Sequence, residues 1–423
     1  MNNQPPVRNQ ASCADSGKGD LLSVEAAEQR IFALLKPLDA TEYVDVRQAL
    51  GRTLSVDVTS RVNVPPHTNS AMDGYAIRAE DMPSDGFTSL TSIGTAFAGK
   101  PFGGRVANGQ CVRIMTGARM PDGSDTVIMQ EHAEVTEDTI RIDAGNRPGQ
   151  NVRQAGEDIA IGDIALTAGK RLTPADIGLL ASIGRGEISV VRRLRVAFFS
   201  TGDELRPLGT PLGEGEIYDS NRYTLYGMLK RQDVEIIDMG VVADDRKAMS
   251  AAFNQAARVA DVVLTSGGVS VGDADYVKDI VRAEGKVDFW KLAIKPGRPL
   301  AFGTLGDAVF FGLPGNPVAV MVTFYQFVQP ALRYLRGETT LRPARFRVPC
   351  TSAVKKRPGR TEYQRGLLQT DAVGNLQVSV TGAQGSGILS SMSTANCFIV
   401  LPEHSTAVTP GDTVLVEPFE GMI

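Results

Sequence analysis

Apolar and polar positions follow different rhythms in different parts of the chain. Between residues 195 and 335, short apolar runs alternate with longer stretches of helical spacing. The runs predict strands at 195–200, 234–242, 260–264 and 307–313, and helices at 222–231, 245–259, 276–283 and 317–335. Strands and helices alternating at these lengths imply a parallel, doubly wound sheet with right-handed crossovers. After about residue 341 the helical rhythm stops. Strands are expected at 345–352, 363–370, 376–381, 397–401 and 413–418, with turn residues in Val373-Gly-Asn375 and Thr409-Pro-Gly-Asp412, so the C-terminal part reads as a small β-barrel-like domain or a β-sandwich.

Upstream, residues 22–35 carry a helical pattern with Ser23 as N-cap and Ala26, Ile31, Leu34 and Leu35 as apolar candidates. Residues 43–55 read as strand, turn at Gly51, and strand. Between about 84 and 150, glycines interrupt short strands so often that a small all-β lobe is expected. A helix at 175–183 follows Thr173 as N-cap and Pro174. The fold class is therefore α/β multi-domain. Residues 1–19 form a polar tail, expected to be disordered. Residues 20–55 and 150–194 form a discontinuous linker domain, 56–149 the β lobe, 195–340 the α/β domain and 341–423 the C-terminal β domain.

The 423 residues are too many for one core. A formal net charge of −4 supplies no broad basic field for nucleic acid. The four cysteines (13, 111, 350 and 397) form no C-x-x-C pair, and the three histidines lie far apart, which disfavours a His/Cys zinc site. A reduced, cytoplasmic protein is the simplest expectation. The N-terminus lacks a signal-peptide core, and no apolar run approaches the roughly 18 residues of a membrane span.

Ligands of open parallel sheets bind beyond the carboxyl ends of the strands. Four segments fall at or beside such ends: Ser200-Thr-Gly-Asp-Glu204, Thr265-Ser-Gly-Gly-Val-Ser-Val-Gly-Asp-Ala-Asp-Tyr276, Lys295-Pro-Gly-Arg298 and Leu313-Pro-Gly-Asn-Pro317. The second is a Gly-rich loop between a strand and a helix, a natural anion cradle at Gly267, Gly268 and Ser270. Glu204, Asp244, Asp273 and Asp275 would add carboxylates for Mg²⁺, which takes one or two of them with phosphate oxygens and water. Helix capping alone would also explain Asp275, Asp244 and Asp245. Lys291 and Lys295, four apart, would share one side of a strand and suit an oxyanion, or a solvated face. Pro314 and Pro317 stiffen the last segment, with Pro317 fitted to the first turn of a helix.

Outside this domain, Ser70-Ala-Met-Asp-Gly-Tyr75 sets Asp73 in a tight turn, and Arg113-Ile-Met-Thr-Gly-Ala118 sets Thr116 beside a glycine. Each alone also reads as an ordinary turn. In Gly149-Gln-Asn-Val-Arg-Gln-Ala-Gly-Glu-Asp158, Arg153 and Asp158 can pair with each other or contact a ligand. No P-loop, strict G-x-G-x-x-G, H-E-x-x-H or G-x-S-x-G is present, which argues against ordinary NTPases, dinucleotide dehydrogenases, zinc proteases and serine hydrolases.

The ordered series of these segments resembles the MoeA/gephyrin-E family of molybdopterin molybdenumtransferases. Ile217-Tyr-Asp-Ser-Asn-Arg222, residues 289–299, Gln364-Arg-Gly366 and Gly385-Ser-Gly-Ile388 belong to the same series. The likeness spans nearly everything from residue 20 onward. Arg298 departs from it, standing where many relatives carry Lys, and the N-terminal tail matches nothing. The resemblance implies a cytoplasmic, homodimeric enzyme of molybdenum cofactor synthesis. It would transfer molybdenum from molybdate to adenylylated molybdopterin with release of AMP, using Mg²⁺, and the adenylyltransferase of the same pathway is a possible partner. By matched position, Glu204, Asp244 and Asp275 would hold or orient the metal, with Asp275 rather than Asp273 meeting the cation, directly or through water. Lys291 and Lys295 would bind oxyanions, and Pro314 and Pro317 would shape the floor. Asp73 and Thr116 would complete the site, from the partner subunit in a dimer. Arg365 and Ser386 would reach it from the C-terminal domain. Molybdopterin adenylylation and a non-catalytic scaffold of the same fold are the alternatives.

Overall fold

The computed structural model describes residues 21–268, 280–281 and 285–419. The expected tail at 1–19 and most of the helix expected at 276–283 lie outside them. The chain divides into two compact units, one of Thr41–Val190 and one of the flanking segments Met1–Ala40 and Val191–Ile423.

In the first unit, residues 41–59 and 159–190 share one core, in which Leu54, Val58, Leu166, Leu180 and Ile188 are buried. The helix Pro174–Ser182 starts there as expected, and both the amide and the hydroxyl of Thr173 donate to Asp176 at 2.8 Å. The intervening chain makes a six-stranded sheet in the order Thr126–Met129, Gly74–Ile77, Gln110–Ile114, Phe87–Ala96, Thr139–Asp143, Ala133–Thr136. Val112, Ile114 and Val127 pack on one face, and Tyr75, Leu90 and Ile140 on the other.

The second unit is built on a six-stranded sheet in the order Glu235–Val242, Arg195–Thr201, Val262–Ser266, Ala308–Leu313, Pro299–Leu305, Gly285–Lys291. Its first four strands are parallel, as the apolar runs predict. Pro299–Leu305 runs against both neighbours, so the sheet is mixed at one edge. Helix Ser220–Lys230 and the long helical segment from Pro317 to Leu335 cover one face through Leu225, Leu229, Val320 and Leu332. Helix Arg246–Val259 covers the other through Met249, Phe253 and Ala256. The long segment passes through a π-helical turn, Phe324–Val328.

Helix Val24–Leu34, capped by Ser23 as expected, belongs to this unit. By contact, residues 21–40 thus group with this unit rather than with residues 41–55 and 150–190. A single apolar stripe announces a helix but not its partner. Here the stripe is Val24, Ala27, Ile31 and Leu35, buried in the α/β core, while Leu34 is exposed. Backbone bonds from Leu22 to Lys291 (2.9 Å) and from Ala293 to Leu22 (2.8 Å) hold the segment there.

The C-terminal strands order as Ile294–Lys295, Thr361–Thr370, Cys397–Leu401, Thr413–Pro418, Phe346–Pro349, with Leu376–Val380 on the far side of Thr361–Thr370. The Thr351 amide donates to the Val378 carbonyl at 2.8 Å and curls the sheet into a half-barrel around Val348, Val378, Ile399 and Val416. Its first strand comes from the α/β domain. Lys291 therefore ends one sheet while Lys295 pairs with Glu362 in another, and the two lysines do not share a strand. Their spacing of four suggested one strand; between them the Leu292 amide turns back to the Arg298 carbonyl at 2.7 Å.

Candidate functional site at the carboxyl edge of the sheet

Strand register lines up the carboxyl ends in the second unit. Thr201 lies opposite Val242, Ser200 opposite Ser266, and Ser266 opposite Leu313. The three loops leaving Thr201, Ser266 and Leu313 thus start side by side, as the sequence implied. Gly267 has φ +94°, and a Cβ on it would sit 2.7 Å from the Thr201 carbonyl oxygen, so only glycine lets these loops approach. Gly268 also has positive φ, at +69°. The Gly267 amide donates to the Leu313 carbonyl at 3.2 Å.

Shielded polar atoms lie at the strand ends before these loops, Ser200 on one face of the sheet and Thr265 on the other. Ser200 and Thr265 are each 1% exposed, yet neither hydroxyl has a hydrogen-bond partner among the described residues, and the same holds for Asp219 Oδ2 and Asn221 Oδ1. Shielded polar atoms without partners are costly in an otherwise satisfied fold and mark a place where a ligand or water belongs. Asp219 caps helix Ser220–Lys230 by accepting from the Arg222 amide at 3.1 Å. Asn221 Nδ2 donates to Ser266 Oγ at 2.9 Å and to the Gly315 carbonyl at 2.7 Å.

Glu204 and Asp244 follow strands that end at this edge, and Lys291 ends another. The Glu204 carboxylate folds over Gly202, within 2.6 Å of where a Cβ would stand. The Asp244 amide donates to Asp203 at 3.3 Å. Capping of helix Arg246–Val259 falls to Asp245, which accepts from the Lys247 and Ala248 amides, so capping does not account for Asp244. Ser270, Asp273 and Asp275 lie outside the described residues. Among the described residues, no three acids, histidines or cysteines gather in one metal-binding group. Lys291 is exposed at its strand end. Lys295 Nζ lies 3.5 Å from Glu362, a buried acid that also accepts from Gln364 at 2.7 Å. Pro314 is buried, and Pro317 opens the helix behind Asn316.

Arg365 is 1% exposed rather than open to the edge. Its guanidinium donates to Ser391 Oγ at 3.0 Å and to the Gly385 carbonyl at 2.9 Å, and burial pushes its pKa down to about 10. The adjacent Ser386 carbonyl accepts from the Val318 amide at 3.0 Å, which brings Ser386 to the start of the helix behind Pro317. The two residues matched by short motifs thus meet at one loop, which carries Ser386 and which Arg365 supports from the neighbouring strand.

In the other unit, three predicted motifs converge. The Ser70 and Gly117 amides exchange bonds with the Ala118 and Ser70 carbonyls at 3.0 and 2.8 Å, and the Ala71 amide reaches the Asn151 carbonyl at 2.8 Å. Asp73 Oδ1 accepts from both the amide and the hydroxyl of Thr116, each at 2.7 Å. The Thr116 amide, then its hydroxyl, hold the Asp73 carboxyl below the usual carboxylate range. Arg113 bonds Gln130 and lies 5.0 Å from the Tyr75 ring centre. Arg153 pairs with Asn69 along a short strand. Arg153 and Asp158 are both exposed and, among the described residues, form no ion pair with one another. Asn221, Asp219 and Ser200 carried no assigned role in the sequence, although the Asp-Ser-Asn run before a helix is a readable cap signal.

Three family models match in chain order: the MoeA N-terminal region (domain I and II) over residues 22–184, a probable molybdopterin binding domain over 197–334, and the MoeA C-terminal region (domain IV) over 347–419. A molybdopterin molybdenumtransferase of Haemophilus influenzae is 43% identical over 95% of this chain and 100% of its own. A gephyrin of Dictyostelium discoideum is 32% identical over 95% of this chain and 63% of its own. The crystal structure of a molybdopterin biosynthesis MoeA protein from Pyrococcus horikoshii superposes with a TM-score of 0.83 at 29% identity, covering 95% of this chain and all of that one. With regional models matching from near one end to the other and a relative of this identity along nearly its whole length, the chain belongs to the MoeA family of molybdopterin molybdenumtransferases.

Proposed function

We propose that this protein transfers molybdenum from molybdate to adenylylated molybdopterin and releases AMP, a step of molybdenum cofactor synthesis. The observation that carries the reading is the pair of neighbouring buried hydroxyls at the sheet edge, Ser266 and the unpartnered Ser200, next to the Gly267–Gly268 backbone. They occur in a chain that aligns end to end with a molybdopterin molybdenumtransferase. Hydroxyl donors and positive-φ glycines suit phosphate oxygens. Lys291 and Lys295 supply charge for the substrate's oxyanions, molybdate among them.

Glu204 and Asp244, with Asp275, would hold Mg²⁺ through one or two carboxylates and the substrate phosphates, a donor set that this ion accepts without a cage of its own. Bound there, it would neutralise charge on the anhydride as AMP leaves. Pro314 and Pro317 stiffen the loop that floors the pocket, and Arg365 fixes the loop that presents Ser386. Asp73 and Thr116 complete the site, from the second subunit of a homodimer. The protein acts in the cytoplasm, on substrate delivered by an adenylyltransferase. No described helix is long and apolar enough to cross a membrane.

The test is direct. Purified protein with adenylylated molybdopterin, Mg²⁺ and molybdate should release AMP at a rate that depends on molybdate. Consumption of ATP without molybdate dependence would instead favour adenylylation, and no AMP release at all would refute the assignment.

A further inference from the structure

We infer that Asn221 is a positioning residue of this pocket, acting through Ser266 and the Gly315 carbonyl; the inference rests on the phosphate-bearing substrate proposed above. Asn221 stands at the second position of helix Ser220–Lys230. Both hydrogens of its amide nitrogen are committed, one to Ser266 Oγ at 2.9 Å and one to the Gly315 carbonyl at 2.7 Å. One side chain thereby joins the loop after Ser266 to the loop after Leu313. The two backbones are close enough that a Cβ on Gly315 would lie 3.9 Å from the Gly267 Cα.

The contact also sets the polarity of Ser266. A hydroxyl that accepts from Asn221 keeps its own hydrogen for another acceptor. Ser200 lies opposite Ser266 in register, on the same face of the sheet, and its hydroxyl is shielded and unpartnered. Two neighbouring hydroxyls then present hydrogens to one ligand oxygen, as an anion requires. Asn221 Oδ1 is left over as a shielded acceptor.

The experiment measures AMP binding by calorimetry for the wild-type protein, Asn221→Ala, Ser266→Ala and the double variant, with thermal unfolding of each. Alanine avoids placing a new anion beside the phosphate. Both single variants should weaken AMP binding about tenfold or more, and the double variant should lose less than the two single losses combined, because Asn221 acts in part through that serine. A lowered melting temperature with AMP affinity within twofold of wild type would overturn the inference, as would additive losses in the double variant. Should wild-type protein fail to bind AMP, the substrate reading falls. The clamp is then decided by amide hydrogen exchange at Gly267, Gly268 and Gly315. Faster exchange in Asn221→Ala supports it, and unchanged exchange removes it.

Discussion

Asp73→Asn should lower molybdate-dependent AMP release at least about 100-fold, the scale for losing one positioned charged group at a reacting centre, while leaving the melting profile unchanged. Thr116 explains the separation. Its amide and hydroxyl both bond Asp73 Oδ1, so one carboxylate oxygen is fixed by the turn and Oδ2 remains for other partners. Asparagine keeps an Oδ1 acceptor for those donors and changes only the charge and the second position. Wild-type turnover by Asp73→Asn would reduce the aspartate to a turn residue. The same geometry gives a pH dependence. The Thr116 amide and hydroxyl lower the Asp73 pKa, so the carboxylate stays ionised further into acid than an ordinary aspartate. Thr116→Val deletes the hydroxyl donor, and the Asp73 pKa should rise towards its ordinary value. The acid limb of the activity profile should therefore move to higher pH, whereas an unmoved limb would show that Asp73 ionisation does not govern turnover.

The central sheet was readable because its inner parallel strands are buried on both faces and appear as short apolar runs, and helices close on caps such as Asp245. The strands Gly285–Lys291 and Pro299–Leu305 were not. They contain Gly285, Gly303 and Pro299, residues that lower strand signals, yet the pairing demands the glycines: a Cβ on Gly303 would sit 2.0 Å from the Lys286 carbonyl oxygen. The placement of Lys295 was hidden for a related reason. Its strand partner, Glu362, lies far along the chain, and no local pattern announces such a pairing. At the site, sequence located the loops but not the atoms left unsatisfied within them. Ser200 looks like any strand residue until its burial and lack of a partner are known. Arg365 shows the converse, a motif arginine that reads as ligand-facing and is instead enclosed by the carbonyls of its own neighbourhood.

Gly74→Ala should be the most damaging single-methyl change in the Thr41–Val190 unit. Gly74 pairs with Ile114 on one side and Met129 on the other, in the interior of the sheet. A Cβ there would stand 1.9 Å from the Ile128 carbonyl oxygen and 3.1 Å from the Met129 Cα, both backbone atoms that no rotamer change can move aside. Relief requires Gly74–Ile77 to separate from Thr126–Met129, which breaks ladder bonds and opens the packing of Tyr75 against Ile128. Overpacking of this kind costs about 3 kcal/mol, at the upper end for an added methyl. Two compact units need not unfold together, so the loss should appear as one transition moving down by about 10 °C while the other stays in place. Asp73 precedes the displaced residue directly, and the Gln130 amide holds its carbonyl at 3.1 Å, so AMP release should fall with the strand. Unfolding identical to wild type would mean that Gly74 is not the close approach it is taken to be.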